Sequence, residues 1–214
     1  MRTNNARTVS VVLLLILAVS WANSQMRTGK LGLGLGGTTY FLQSDYKTSD
    51  LSAGGAVNLT YSVAENIGLR SSLGFGYFQG KDALGTSLET SASHWNMAAS
   101  YDFMPHDQFS PFLSAGAGLL FFDPRTKTGN ALTGGGSARF DINFLGGAGF
   151  DYFFDEFWAL TVSAEGALGF TDQLDGIKGG GNDGYVRFTV GIRYHFFDED
   201  FVRRMIDAFG RRGK

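Results

Sequence analysis

YVRFTVGIRYHF, residues 185–196, alternates between two kinds of side chain. The even-numbered positions are apolar: Val186, Phe188, Val190, Ile192, Tyr194 and Phe196. The odd-numbered positions are mostly polar or small: Tyr185, Arg187, Thr189, Gly191, Arg193 and His195. Because successive side chains of a strand point to opposite sides, this pattern predicts a β-strand with one apolar and one wet face.

The same alternation recurs upstream of this stretch. It appears in residues 31–36, 57–63, 67–77, 94–103, 113–121, 139–151 and 158–170. The segment 113–121 is the least clear, because Phe112, Leu120 and Phe122 fall on its wet face. The sequence therefore predicts an all-β fold of eight antiparallel strands, an even number that places both chain ends on one side of a barrel.

The connections between these segments alternate in length. Three are short, at residues 64–66, 104–110 and 153–157. Four are longer and polar, at residues 43–50, 79–87, 123–136 and 171–184. Short turns on one side and long loops on the other are typical of outer-membrane barrels. Pro105, Pro111 and Pro124 fall in connections or at a strand start, where a missing N–H does little harm.

Alternation does not say which face points outward, because a soluble lipocalin-like barrel keeps its apolar face inside. Here the wet face is mostly Gly, Ala, Ser, Thr and Asn with a few Arg and acidic residues. A solvated exterior would favour long Lys and Glu side chains. The composition favours a confined lumen, and aromatic residues at both ends of the strands are what membrane interfaces select. We therefore predict a transmembrane barrel with the apolar face toward lipid.

Charges in a lumen must be paired, because a lone buried charge is too costly to persist. We expect the inward-facing charged residues to form an ion network. Asp102 and Asp151 also fall on the inward face of their strands. The predicted network residues are Arg70, Arg139, Asp141, Glu165, Arg187 and Arg193. In this network Arg139 or Arg187 is expected to reach Glu165 from a neighbouring strand, and Arg70 to add a contact from across the lumen.

The first 24 residues read as a secretory signal peptide. Arg2 and Arg7 give a basic start, residues 9–19 are apolar, and Ala22-Asn23-Ser24 offers small residues for cleavage. The alternative is an N-terminal membrane anchor, for which the apolar run is short. Removal of the signal, with its two Arg and no acid, leaves a net charge of (18 − 2) − 20 = −4. We expect the barrel to span residues 25–196.

Residues 197–214 extend beyond the last strand. Their apolar positions recur at helical spacing: Phe201, Val202, Met205, Ile206 and Phe209. The sequence predicts a short periplasmic tail with helical character. It either rests on the periplasmic leaflet or is a mobile tail.

The chain up to Phe196 resembles the small OmpA-like outer-membrane β-barrel family. Residues 189–196 resemble that family's C-terminal assembly signal, with Gly191, Tyr194 and Phe196 at its key positions. Residues 111–118 resemble its fifth strand, and residues 146–152 with 158–160 its sixth-to-seventh strand hairpin. The resemblance implies the cell outer membrane as location, with outer-membrane lipid and the barrel-assembly machinery as partners.

Chemistry-bearing motifs are weak. The sequence has no phosphate loop, metal-ligand cluster or nucleophile elbow, and its mild charge indicates no nucleic-acid partner. A lipase-like pairing of Ser93 with His94 is disfavoured, because neighbouring residues of a strand point to opposite faces. We expect no enzyme and no cofactor. The glycine-rich residues 178–184 are interpreted as a surface loop rather than a cation site.

Two functions remain open. The first is a closed structural or surface-binding scaffold, since an eight-stranded barrel is just wide enough inside for side chains. The second is an OmpW-like transporter or binder of small apolar molecules. Its hallmark would be an apolar upper lumen, and Phe78, Leu120 and Phe122 are the hints of one.

Overall fold

The structure, a computed structural model, describes residues 29–43, 48–81, 87–126, 139–170 and 183–197. The predicted signal peptide and the tail beyond residue 197 lie outside these ranges, as does much of each of the four long connections. No helix among the described residues is long and apolar enough to cross a membrane.

The described chain is built from antiparallel strands. They are β1 (Leu31–Gln43), β2 (Thr48–Asp50), β3 (Ser52–Ser62), β4 (Ile67–Lys81), β5 (Ser87–Asp102), β6 (Phe109–Thr126), β7 (Arg139–Phe153), β8 (Trp158–Gly169) and β9 (Gly184–Phe197). β2 and β3 both pair with β4 and are separated by Leu51 alone. Between the pairs Asp50–Gln79 and Gly54–Gly76, residues 51–53 oppose residues 77–78, which is a β-bulge in one strand. The wall therefore consists of eight strands.

The sheet closes on itself. β1 pairs with β3 on one side and with β9 on the other, and every other neighbour follows in chain order. One row of paired residues runs once around the wall: Gly32, Thr60, Arg70, Ala98, Gly116, Leu145, Ala167, Tyr185 and Leu42. The circuit starts at residue 32 of β1 and returns to β1 at residue 42, a stagger of 42 − 32 = 10 residues. This stagger tilts the strands, and eight strands leave an interior that side chains fill.

The two faces of the wall differ as the sequence predicts. Leu35, Phe75 and Leu168 are each more than 60% exposed on the outside. His94 and Asn143 point inward and are buried. So large an exposed apolar surface finds an apolar environment in a bilayer. The outer wall is therefore the one that contacts lipid.

Aromatic side chains gather at both ends of the outer wall. Trp158 packs on Tyr194 near the short connections, with ring centroids 4.9 Å apart. Phe121 packs on Phe140 near the long connections, at 5.4 Å. Such pairs at two heights match the two belts predicted for the membrane interfaces.

Several strands extend further than predicted, and β4, for example, runs to Lys81 within the predicted loop 79–87. Thr48–Asp50 is a strand within the predicted loop 43–50, and β6 runs through Asp123 to Thr126 within the predicted loop 123–136. The alternation signal ends where both faces of the wall become polar, whereas backbone hydrogen bonding continues beyond that level.

The position of one proline also needs correction. Pro124 lies inside β6 rather than in a connection, whereas Pro111, predicted at a strand start, is the third residue of β6. Pro124 pairs with Thr90 of β5, and among the described residues the β6–β7 pairing reaches no further than Phe122. No described strand on the other side therefore requires the N–H that Pro124 lacks. Pro111 contributes its carbonyl, which accepts from the Phe103 N–H at 2.9 Å.

Candidate functional site: the barrel lumen

A cluster of charged side chains lies in the lumen near the short connections. We call it the lower ion cluster: Arg70, Asp102, Asp151, Thr161 and Arg193. Asp151 sits at its centre with both carboxylate oxygens engaged. Arg193 donates to these oxygens at 3.0 and 3.1 Å, and Arg70 donates at 3.0 Å. Residues of three strands, β4, β7 and β9, thus place one buried carboxylate between two guanidinium groups.

The remaining contacts complete the lower ion cluster. Arg70 also pairs with Asp102 at 3.2 Å, and its guanidinium lies 3.5 Å from the centre of the Phe112 ring. Thr161 donates to Asp151 at 2.7 Å and accepts from Arg193 at 2.8 Å. Two positive and two negative side chains balance each other, as burial requires.

A second ionic contact lies further from the short connections. We call Arg187 and Glu165, which face each other on β9 and β8, the central ion pair. Arg187 also contacts Nε2 of His94 and donates to the Ser72 hydroxyl at 3.2 Å. Because a guanidinium only donates, His94 must present an unprotonated nitrogen to it.

The end of the lumen near the long connections is apolar. We call this the outer apolar cluster: Tyr40, Leu42, Phe78, Leu120, Phe122, Leu145, Ala167 and Tyr185. Phe78 meets Tyr40 edge-on at 5.7 Å and Tyr185 at 5.5 Å between ring centroids. Phe78, Leu120 and Phe122 are each 2% exposed, so these side chains are packed rather than lining an open mouth.

The structure brings four of the six predicted network residues into these clusters. Arg187 is the partner of Glu165. Arg193 lies in the lower ion cluster. The expectation that Arg70 contacts Glu165 is corrected, because Arg70 instead pairs with Asp102 and Asp151. The sequence gives the inward parity of Arg70, but the choice of partner depends on the stagger of the strands.

The other two predicted network residues have different positions. Asp141 points inward near the outer end and accepts from the Phe170 N–H at 3.0 Å. Arg139 begins β7, and its side chain lies outside the described part of the chain. Thr161, Ser72 and His94 were not among the predicted network residues. The only sequence feature that pointed to them is their position on the inward face of the predicted strands.

The three residues of the predicted assembly signal lie in β9. Gly191 faces inward, where a Cβ atom would come within 2.6 Å of the Leu35 carbonyl oxygen. Tyr194 packs on Trp158 and Phe157 in the aromatic belt near the short connections. Phe196 is skipped by the β1–β9 register, which passes from Leu31–Phe197 to Gly32–His195, so it forms a bulge.

Catalytic geometry does not assemble around His94. His94 is buried in the lumen against Arg187, whereas Ser93 is exposed on the outer wall. Among the described residues, no group of three or more His, Asp or Glu side chains could hold a metal ion.

The sequence matches the outer membrane protein beta-barrel domain over residues 9–196. A search of curated proteins finds no significant match. Among solved structures, OprG from Pseudomonas aeruginosa is similar with a TM-score of 0.57 at 15% identity, covering 82% of this chain and 99% of that one. Neisserial surface protein A gives 0.55 at 16% identity, covering 78% and 97%. Ail of Yersinia pestis, solved with the heparin analogue sucrose octasulfate, gives 0.53 at 15% identity, covering 79% and 99%.

Proposed function

Because the chain belongs to the outer membrane protein beta-barrel domain family and is an outer-membrane protein, we propose that it serves as a closed structural or surface-binding scaffold. The observation that supports this role is the filling of the lumen at three levels. The lower ion cluster, the central ion pair and the outer apolar cluster follow one another from one end to the other. A solute would have to separate paired charges and packed rings to pass.

Single-channel recording in planar lipid bilayers tests the closed state. Folded protein, verified by heat-modifiable mobility on a detergent gel, is expected to give no large steady current. A preparation unfolded by heating before addition serves as the control for detergent leakage. Large steady conductance of the folded protein, absent from the heated control, would refute the closed scaffold.

The surface-binding part of the proposal concerns residues 44–47, 82–86, 127–138 and 171–182. They carry Lys47, Lys127 and Lys178 against Asp45, Asp82, Asp172 and Asp175. This balance gives no positive excess of the kind that attracts a sulfated polyanion. We therefore do not transfer the heparin-analogue binding of Ail to this chain, and expect no retention on heparin resin at physiological salt.

A second candidate function is the binding of small apolar molecules. The outer apolar cluster supports it, because it forms the apolar upper lumen that this role requires. Titration with an environment-sensitive apolar dye would separate the two roles. The scaffold predicts non-saturable partitioning that Phe78→Ser leaves unchanged. Saturable fluorescence enhancement that Phe78→Ser abolishes would favour the binder.

We also propose that the end of β9 is recognised by the barrel-assembly machinery. Phe196→Asp is expected to remove most folded barrel from the outer membrane, because the change places a charge in the signal. The matched control is Phe154→Asp, an exposed phenylalanine in the turn after β7 on the same side of the barrel. Heat-modifiable protein in the membrane fraction measures both, and equal amounts in the two variants would contradict the assignment.

A further inference from the structure

The lipid-facing wall carries an apolar groove where β1, β3 and β4 lie side by side. Its volume is about 390 Å³. Gly37 of β1 and Gly55 of β3 pair with each other and form its floor. A ridge made by one row of paired residues bounds the groove on one side: Leu35, Val57 and Leu73. Phe75, which pairs with Gly55 and is 64% exposed, closes one end of the floor.

The two floor glycines leave the backbone bare. A Cβ atom at Gly37 would meet no other atom within 4 Å. Glycine inside a strand packs nothing and costs entropy, so it often marks a place where a ligand approaches the backbone closely. A second outward-facing pair, Gly146 and Gly166, lies on β7 and β8. The row beyond Gly146 continues through Ala115 and Ala99, so no large side chain ends it there. Of the two pairs, the one on β1 and β3 therefore combines a bare floor with walls.

The groove lies in the half of the wall that faces the outer leaflet. Gly37 is the middle residue of β1, which runs from Leu31 to Gln43. Phe75 lies two residues before Tyr77, on the part of β4 that leads to the long connections. The long connections of such barrels lie outside the cell. The groove is therefore continuous with the lipid interface of the outer wall, and the lipid nearest to it belongs to the outer leaflet.

Hydroxyl groups accompany the groove. Thr39 is the next outward-facing residue of β1 beyond Gly37, and Ser93 of β5 pairs with Phe75. Both are exposed on the lipid-facing wall, where hydrocarbon offers no hydrogen-bond partner. Along the described lengths of β6 to β9, no outward-facing residue between the two aromatic belts is Ser or Thr. The groove thus suits a ligand that is mainly apolar but carries polar atoms below the membrane surface.

We propose that the groove binds one acyl chain of lipid A, the glycolipid anchor of lipopolysaccharide in the outer leaflet. Its acyl chains carry hydroxyl and ester oxygens a few carbons below the sugars, and these exchange hydrogen bonds with Thr39 and Ser93. The rest of the chain lies on Gly37 and Gly55, against the ridge and Phe75. The ester oxygens of a glycerophospholipid lie at the membrane surface and would leave both hydroxyls unmatched. This inference concerns the outer wall and does not depend on the proposed function of the lumen.

Native mass spectrometry of the folded, full-length barrel in detergent tests the proposal by titration with purified lipid A. Heat-modifiable mobility on a gel verifies that each variant is folded. Gly37→Leu fills the floor of the groove, and we expect it to weaken binding of the first lipid A molecule several-fold. The matched control is Gly146→Leu, where the nearest atom to an added Cβ would be 4.0 Å away. Undiminished binding by Gly37→Leu, or an equal loss in the two variants, would overturn the proposal.

A second pair of variants removes a wall instead of filling the floor. Phe75→Ala opens the end of the groove, and Phe144→Ala on β7 is its control, since the two rings are 64% and 59% exposed on the same outer wall. We expect several-fold weaker binding of lipid A for Phe75→Ala alone. The same affinity in both variants would contradict a specific groove.

Phosphatidylethanolamine, titrated in the same way, distinguishes the source of the chain. The unaltered barrel should bind lipid A several-fold more tightly than phosphatidylethanolamine. Thr39→Val keeps the shape of the side chain but removes the hydroxyl, and should reduce this preference. Equal binding of the two lipids would mean that the groove accepts any acyl chain, and the assignment to lipid A would be wrong. A lipid-free dimer that Gly37→Leu prevents from forming would show that a second copy covers the groove, which would also overturn the proposal.

Discussion

The lumen wall and the lipid-facing wall of the barrel are made by the same strands, yet the polar groups on the two walls find their hydrogen-bond and ionic partners in different ways. In the lumen, Asp151 is shared between Arg70 and Arg193. On the outer wall, the Trp95 indole N–H donates to the Ser71 hydroxyl at 3.0 Å, and both residues belong to neighbouring strands. Hydrocarbon offers no hydrogen-bond partner, so a polar group on that wall must bring its own. A narrow lumen instead admits charges, provided that they are paired.

The largest effect is expected from breaking the lower ion cluster. Asp151→Ala leaves Arg70 and Arg193 without the carboxylate that they share, in a site where Asp151 is only 4% exposed. Removing one partner of a buried pair costs on the order of 3–5 kcal/mol. Urea unfolding in lipid vesicles, followed by tryptophan fluorescence, would measure the loss in free energy of unfolding.

Asp123→Ala is the matched control for this change. Asp123 pairs with Arg125 at 2.7 Å, but the two side chains are 25% and 53% exposed near the end of β6. An exposed pair is worth about 0–1 kcal/mol. If Asp151→Ala costs no more than Asp123→Ala, solvent reaches the lower ion cluster and the description of a closed lumen is wrong.

The central ion pair should respond less strongly than the lower ion cluster. The Glu165 side chain is 18% exposed, so solvent can partly replace its carboxylate when Glu165→Ala leaves Arg187 alone. We expect a loss of about 1.5–3 kcal/mol, the range for hydrogen bonds to charged groups. The double variant Glu165→Ala/Arg187→Met removes both charges and should recover part of this loss. Strictly additive losses in the urea experiment would mean that the two residues are not energetically coupled.

The difference between the two walls also explains how much the sequence predicts. Alternation reveals the strands and their faces, because lipid and lumen select different side chains at successive positions. It does not reveal partners: Arg70 on β4 lies three strands from β7 and meets Asp151 across the lumen because of the ten-residue stagger. The presence of Phe112 on the lumen face made β6 look ambiguous, yet its ring lies against the Arg70 guanidinium. A long-range arrangement of this kind leaves no local pattern.

Glycines on the two walls allow a direct comparison of the space that each wall leaves for a side chain. A Cβ atom at inward-facing Gly118 would lie 2.0 Å from Oδ1 of Asn96 and 2.8 Å from Oδ1 of Asn143. At outward-facing Gly146, the nearest atom would be 4.0 Å away. Gly118→Ala should therefore cost about 1–2 kcal/mol through overpacking. Gly146→Ala should be neutral or slightly stabilising, because alanine restricts the unfolded chain. Equal effects of the two variants on unfolding free energy would contradict the assignment of these faces.

The smallest effect is expected on the lipid-facing wall, from the hydrogen bond between Trp95 and Ser71. Trp95→Phe and Ser71→Ala each remove the bond but also change the surface in contact with lipid, so neither variant alone isolates it. A double-mutant cycle does, and coupling energies of hydrogen bonds inside membranes average about 0.6 kcal/mol. Trp158→Phe combined with Ser71→Ala supplies the control, because Trp158 lies on β8 and packs on Tyr194 rather than near Ser71. That control pair should be additive. A coupling near zero for Trp95 and Ser71 would mean that the indole N–H finds another partner at this depth, and the contrast between the two walls would then weaken to a difference in charge alone.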